Sequence, residues 1–486
     1  MAERSIESYR TRIHQVIFAL VFLAIAATGV KGMMMGARQT TQIFGAAAVL
    51  IGATLALDRY YWLFCPLFVT FGLRIPGLPF DSMEIGCLAV FAVKIIRVAL
   101  HADPPIRLHV HVLIALPLFL WMGTIWAVNP VGLNMLGSGT IGGRFYFKLV
   151  LAFLVLITLS NVRIGLRECK PLLWTLLGSV GLSAALTLFK PTLSSEVMTS
   201  GPEPVTHYKY LCVLPLYFLL FARYSLREIL RSSWKLLVAA LCGAMVVYSG
   251  KRSASATLLL LPFFRVFLSR RQARLTFATA AAGFLLLSVA VSLDGHHGIR
   301  LPNSPKRALA LVFPKYRSNR GMEGFNDTFR ATLRKEARAI IREHPLVGRG
   351  GFRMDREETL WIHSRRSAFG GHIMAGAWHS AVYSYAADFG LPCLFLWLVF
   401  FVYALVLSVR FARRLPPGTT AATCVYYFTF FLLRNTVFAY TSGHSSMSTL
   451  ELCYLYGMFL ALWNGLEGVR FPDSDYIDNP ALEDRL

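Results

Sequence analysis

Acidic side chains are scarce in this chain: 26 Asp or Glu stand against 49 Lys or Arg, leaving a formal net charge of +23 over 486 residues. Charge of either sign is thin, at 15% of residues against 55% apolar, and the mean hydropathy is +0.53. That balance excludes a disordered chain and also a single soluble core, which could not hide so many apolar runs. Cysteine is missing where it would matter. The eight cysteines, at 65, 87, 169, 212, 242, 393, 424 and 453, all avoid the one large hydrophilic segment, 294–378. That segment therefore has neither a disulfide framework nor a thiolate zinc site. A phosphate-binding loop is excluded too, because the glycine-rich run Pro345-Leu346-Val347-Gly348-Arg349-Gly350-Gly351 lacks a Gly-Lys-Ser/Thr ending and a preceding strand. The one Asp-x-Asp, Asp473-Ser474-Asp475, lies on a C-terminal tail, and His296, His297, His363 and His372 have no metal-ligand spacing with carboxylates. No metal and no other cofactor is expected. No nucleic-acid-reading module accompanies the basic surplus, so nucleic acid is set aside as a partner.

What is present is a series of apolar runs near 13–33, 43–57, 59–73, 83–100, 108–127, 145–161, 171–189, 208–222, 233–249, 253–268, 275–293, 391–409, 420–440 and 447–465. A spanning helix needs roughly 20 mostly apolar residues. The expected fold is therefore an all-α polytopic membrane protein with about 12–14 transmembrane helices. The runs 43–57 and 59–73 are short and separated only by Asp58 and Arg59, so a tight hairpin or a re-entrant stretch remains open there. With both termini in the cytoplasm, inner loops carry Arg163, Arg167 and Lys170; Arg223, Arg227, Arg231 and Lys235; Arg270, Arg271 and Arg274; and Arg410, Arg413 and Arg414. The outer loops near 34–42, 74–82, 128–144 and 190–206 carry one basic residue each, as the positive-inside rule asks. No cleavable signal peptide is expected, since the first apolar run lacks a clear cleavage site and further runs follow.

This topology divides the chain into a transmembrane bundle (1–293), an outer, mostly helical loop domain (294–390), C-terminal spans (391–466) and a cytoplasmic tail (467–486). Residues 294–378 hold sixteen Lys or Arg against eight Asp or Glu. Positive-inside bias cannot explain basic charge on an outer segment, which points instead to an anionic substrate or to lipid headgroups. Within it, Asn326–Glu343 has helical spacing, with Phe329, Leu333, Ala337 and Ile341 on one stripe and Arg330, Arg334 and Arg338 on a neighbouring one. Asn326 or Asp327 can cap this helix, and it should stop before His344-Pro345. The following glycine run, with Gly348 and Gly350, reads as a turn that lets backbone pass closely over a neighbour.

His379-Ser380 opens a further helical pattern. Eleven positions return a helix to nearly the same face, which puts Gly390 under His379, with Tyr383 and Ala387 between them. The bland reading is a packing face of small residues with an interfacial histidine. A third feature, Ser249-Gly250-Lys251-Arg252-Ser253, is a short outer connection whose Arg252 goes against the charge rule and needs either a lipid phosphate or a function.

Taken together, these features resemble the O-antigen ligase and polymerase-like family of membrane glycosyltransferases. The family's His, then Asn, Ser or Gln, then nine residues and Gly is met by His379, Ser380 and Gly390, with Cys393 departing from its final position. Its Ser-x-Arg-type turn is matched by Ser249 to Arg252, with Ala256 where Leu is usual. Its Arg-started helix and Pro-Leu-x-Gly-x-Gly turn are matched by Arg330 and by Pro345 to Gly350. The likeness covers roughly residues 205 to 460. It implies transfer of a glycan from undecaprenyl pyrophosphate to an acceptor hydroxyl on the periplasmic face of a bacterial inner membrane. His379 would serve as general base, and Arg252, Arg330, Arg334 and Arg338 would hold the pyrophosphate, with lipid A-core, a growing polymer or a protein as acceptor. A single displacement with one base implies inversion at the anomeric carbon. A transporter of lipid-linked glycans is the competing class; it would place charges near the bilayer midplane and show paired repeats. The charges within spans are few, chiefly Lys94, Lys148, Arg434 and Glu451, and no internal repeat is evident.

Overall fold

The computed structural model describes residues 58–69, 82–129, 143–189, 213–249, 252–269, 273–294, 322–351, 380–441 and 445–469, with 301, 305–306, 309, 313–316 and 378. Every longer regular element among them is an α-helix. A 3-10 turn, Asp58–Leu63, leads into α1 (Phe64–Val69), then α2 (Ser82–Ala99), α3 (Val110–Leu113), α4 (Leu116–Val128), α5 (Gly143–Ser160) and α6 (Leu166–Phe189). Next come α7 (Leu214–Arg223), α8 (Leu226–Arg231), α9 (Ser233–Tyr248), α10 (Arg252–Ser269) and α11 (Ala273–Leu293). The hydrophilic segment contributes α12 (Met322–Glu343), and α13 (Ala381–Ala412), α14 (Thr420–Thr441) and α15 (Ser445–Leu466) complete the set.

The expected spans 13–33 and 43–57 lie outside the described residues. At 59–73 the described part is a turn and a six-residue helix ending at Val69, and 70–73 lie outside the described residues. Its hydrophobicity serves burial: Tyr61, Trp62 and Cys65 are all inside the core. The expected span 108–127 is split into α3 and α4, because Pro117 cannot continue a helix from α3 yet fits the first turn of α4. Among the described residues two stretches, Arg274–Leu293 and Ala381–Ala412, are both long and apolar enough to cross a bilayer. Helices α4, α7 and α9 are apolar but shorter. Large apolar side chains stand exposed on α11 (Phe277, Phe284, Leu285, Val289) and α9 (Trp234, Leu237, Leu241), the pattern of helices that face lipid.

Contacts sort the helix ends into two layers. In one, Ile164 N donates to Ala461 O at 2.9 Å, Asn464 Nδ2 to Ser160 O at 2.7 Å, and Asn161 brackets the Arg107 backbone at 2.9 and 2.8 Å. The other gathers the end of α4, the start of α5, the turn after α12 and the kink in α13.

Several charges buried among the described helices are paired, since an isolated ion in a low dielectric costs several kcal/mol. Lys148 meets Glu84 at 3.2 Å with both side chains buried, and Arg434 meets Glu451 at 3.3 Å. Lys94 and Arg97 both reach Asp103 at 2.9 Å, and Tyr61 Oη donates to the same carboxylate at 3.3 Å. The hydrophilic segment is tied to the end of α11: Asp294 accepts Leu301 N at 2.7 Å and pairs with Lys306 at 3.1 Å. Lys315 donates to the carbonyls of Val291 and Asp294, both at 2.9 Å, as a cation at a helix C-terminus should.

Candidate functional site

Helix α12 starts at Met322, so Asn326 and Asp327 lie inside it and do not cap it. The apolar stripe is as the spacing indicates. Leu333 and Ala337 are buried beside Ile340 and Ile341, against Trp378, Tyr383 and Ala387 at the start of α13. The small-residue face read from the sequence at Tyr383 and Ala387 is thus the face that α12 covers. On the next stripe Arg330 and Arg334 are half-buried, while Arg338 is exposed, its Nε 3.2 Å from Arg334 O. The helix ends at Glu343, ahead of Pro345.

Pro345–Gly351 then lies across α13 as backbone on backbone. Arg349 N donates to Ala387 O at 2.8 Å, Gly351 N to Asp388 O at 2.7 Å, and Leu391 N to Pro345 O at 2.8 Å. Two glycines make this approach possible. Gly390 has φ 86° and ψ 169°, a region that side chains avoid, and a Cβ there would overlap the Leu346 carbonyl. Gly348 has φ 59°, and a Cβ on it would run into the Ala387 carbonyl. Gly350 faces Asn129 at the end of α4, and Gly351 faces the Tyr146 hydroxyl of α5.

Here the helical arithmetic needs correcting. The helix breaks at Gly390, so this residue does not continue the face below position 379; it kinks the chain so that the turn can dock. The kink also leaves the Phe389 carbonyl open, and Trp121 Nε1 of α4 donates to it at 2.9 Å. Ser380 occupies the N-cap position of α13 in extended geometry and is fully buried, with Ser384 N donating to its carbonyl at 2.9 Å.

Beneath the turn sits a buried charge pair. Arg349 Nε lies 2.8 Å from Asp388 Oδ1, with Asp388 completely buried. Trp378 Nε1 donates to the same oxygen at 3.0 Å, and the Arg349 guanidinium lies 5.6 Å from the Trp378 ring centroid. Sequence reasoning missed Asp388, Trp378, Trp121 and Tyr146. One signal was available: a lone carboxylate in an apolar run, two residues before a motif glycine, must find a cation, and Arg349 is in the glycine turn.

Of the other expected site residues, His379 lies outside the described residues. Arg252 is the first residue of α10, which packs on α7, α9, α11 and α14, and its side chain is likewise outside the description. Gly348, Gly350, Ser380, Tyr383, Gly390 and the arginine face of α12 come together at one end of the bundle.

Among the described residues, helices with exposed apolar faces, buried ion pairs and a docked basic segment are features in keeping with a membrane protein. The O-antigen ligase family model matches residues 237–398, a third of the chain, and supports the O-antigen ligase-like family. The matched range runs from α9 through α12 and the glycine turn into α13. No curated protein matches the chain.

Proposed function

We infer that this protein transfers a glycan from a polyprenyl pyrophosphate, undecaprenyl pyrophosphate in bacteria, to a hydroxyl of a lipid acceptor. The acceptor favoured is lipid A-core, which makes the reaction O-antigen ligation in lipopolysaccharide assembly. One observation carries the reading: the family match spans α12, the glycine turn and Gly390, the segments that pack together around Arg349 and Asp388. On this reading the site faces the periplasm, and the segment 294–390 is the outer loop domain.

The chemistry asks little of the protein beyond placement, charge and one base. The acceptor oxygen attacks the anomeric carbon, the bond to the pyrophosphate oxygen breaks, and polyprenyl pyrophosphate leaves with the bonding electrons. His379 takes the hydroxyl proton as the general base of this reading. Arg330 and Arg334, with Arg338 and Arg252, bind the pyrophosphate and stabilise the charge that grows on it. Attack from the face opposite the leaving group inverts the anomeric centre.

The test is mass spectrometry of products after purified protein, wild type or His379→Ala, meets undecaprenyl-pyrophosphate-linked glycan with and without lipid A-core, in chelator. Transfer by wild type alone, dependent on lipid A-core and with inverted configuration, is the expected result. Chain growth without that acceptor would make the protein a polymerase. An untouched donor, or an alanine variant as active as wild type, overturns the reading and leaves transport of lipid-linked glycan.

A further inference from the structure

Leu346 and Val347 are the large apolar side chains of the docked turn, and the docking does not use them. The turn is fixed by its backbone, through Pro345 O, Arg349 N and Gly351 N, while Gly348, Gly350 and Gly351 are buried. Leu346 and Val347 stand 66% and 43% exposed. A turn bathed in water favours Asn, Asp or Ser at such positions. Beside the turn, Leu391 donates its N–H to Pro345 O and opens an apolar stripe down α13. Leu391, Phe395, Leu398, Val402 and Val406 follow one another at helical spacing, all exposed. The stripe stops at Arg410, which is exposed at the far end of the helix. Leu391 to Val409 rises about 28 Å at 1.5 Å per residue, close to the hydrocarbon thickness of a bilayer. Helix α4 changes character at the same level: its exposed apolar residues, Leu120 and Val128, finish where Asn129 meets Gly350. On the other side of the turn the surface is polar, with Arg338, Arg342, Glu343 and His344 all exposed.

We propose that Leu346 and Val347 form a lipid-contact tip that enters the hydrocarbon edge of the nearer leaflet, with Arg342 meeting lipid phosphates beside it. The occupant is bilayer lipid, because the tip continues the exposed apolar stripe of α13 at the point where that stripe reaches the length of a span. Arg342 lies on the last turn of α12, directly before the turn. A guanidinium next to an apolar tip is how interfacial segments combine burial of apolar surface with attraction to anionic headgroups. Because the turn is clamped to the kink, the contact sets the depth of the end of α12 together with that of α13. The arginine stripe of α12 is thereby held at a set distance from the headgroup layer. The importance of that distance for a lipid-borne pyrophosphate rests on the glycosyl-transfer reading; the lipid contact itself does not.

The test uses the full-length protein in nanodiscs of phosphatidylethanolamine and phosphatidylglycerol. A photo-reactive benzophenone amino acid replaces Leu346, Val347, Phe395 or Lys335 in four separate variants. All four positions are exposed, so the replacement displaces no core contact. Phe395 samples the α13 stripe, and Lys335 lies on the face of α12 away from its buried stripe. After photolysis, mass spectrometry of the peptides identifies what each probe has joined. Phospholipid adducts are expected at Leu346 and Val347 in yields within about threefold of that at Phe395 and at least about tenfold above that at Lys335. Adducts to protein in their place, within the chain or to a second copy, would show that protein covers the tip and overturn the proposal. A lipid adduct at Phe395 with none at Leu346 and Val347 puts the tip in water and overturns it as well, as does labelling at Lys335 equal to that at the tip. The adduct at Val347 should be enriched in phosphatidylglycerol over its share of the bilayer, and Arg342→Gln should remove the enrichment; an unbiased adduct sinks the role given to Arg342. None of these readouts depends on turnover, so a protein inert toward every glycan donor still passes or fails this test on its own.

Discussion

Gly390→Ala is the sharpest perturbation available, because two separate penalties meet at one atom. The backbone at Gly390 has φ 86° and ψ 169°, and holding an alanine there costs about 1–3 kcal/mol. The added methyl also overlaps the Leu346 carbonyl and crowds Val347 N, which are backbone atoms and cannot swing aside as a flexible side chain would. The least costly response is for Pro345–Gly351 to lift off α13, giving up the bonds from Arg349 N, Gly351 N and Leu391 N. At about 1 kcal/mol each, their loss together with residual strain puts the effect at about 4–6 kcal/mol, confined to the docking of the turn. Amide hydrogen exchange on the detergent-solubilised protein, read by mass spectrometry over 345–351, should show the amides of Arg349 and Gly351 exchanging at least a hundredfold faster, while α14 and α15 keep their protection. Gly178→Ala is the control: a Cβ there meets nothing within 4 Å, and the change should be neutral or slightly stabilising. Wild-type protection at Arg349 and Gly351 in Gly390→Ala would refute the account of why glycine stands at this position.

Other outcomes follow from the buried charges and the arginine stripe. Lys148→Met alone should destabilise by about 3–5 kcal/mol, because Glu84 is left buried without its counter-charge. Adding Glu84→Gln should recover most of the loss, and a thermal midpoint of the double variant no higher than that of the single one would contradict this. At Asp103, burial pushes the carboxyl up, and the hydrogen bonds from Arg97 and Lys94 more than offset it, so it sits below its ordinary value of 3.8. A depressed carboxyl contributes stability that is present above the unfolded value and lost as pH falls through the folded one. Thermal midpoints should therefore drop below about pH 4 in wild type and less steeply in Asp103→Asn, compared with wild type over the same buffers. Arg330→Gln with Arg334→Gln should raise the donor KM about tenfold or more while leaving the protection of the turn unchanged, as expected of residues that bind the pyrophosphate.

Much of the fold was legible because the signals are local. The apolar runs from 83 onward correspond to helices, with boundaries shifted by a few residues and one run divided at Pro117. The stripe containing Leu333 and Ala337 correctly marks the buried face of α12, since helical periodicity depends on nothing beyond the segment itself. In the run at 59–73 the described residues Tyr61, Trp62 and Cys65 are buried in the protein core, and hydrophobicity alone marks only removal from water. The start of α12 was misjudged because Asn326 and Asp327 make good caps, yet helix continues back through Phe325 to Met322.

The sequence by itself determined the solvent, the helical class, the excess of positive charge on the large hydrophilic segment, and the glycines at 348 and 390 as places of close approach. What approaches them only the tertiary structure decided. Gly390 and Gly348 are separated by forty-two positions, and the two meet because α12 packs against the start of α13 and delivers the turn that follows it onto the α13 backbone. The same long-range packing made Asp388, Arg349 and Trp378 into one buried unit. A carboxylate in an apolar run announces that it needs a partner, but the identity of that partner depends on which distant segment reaches it, and no local pattern encodes that.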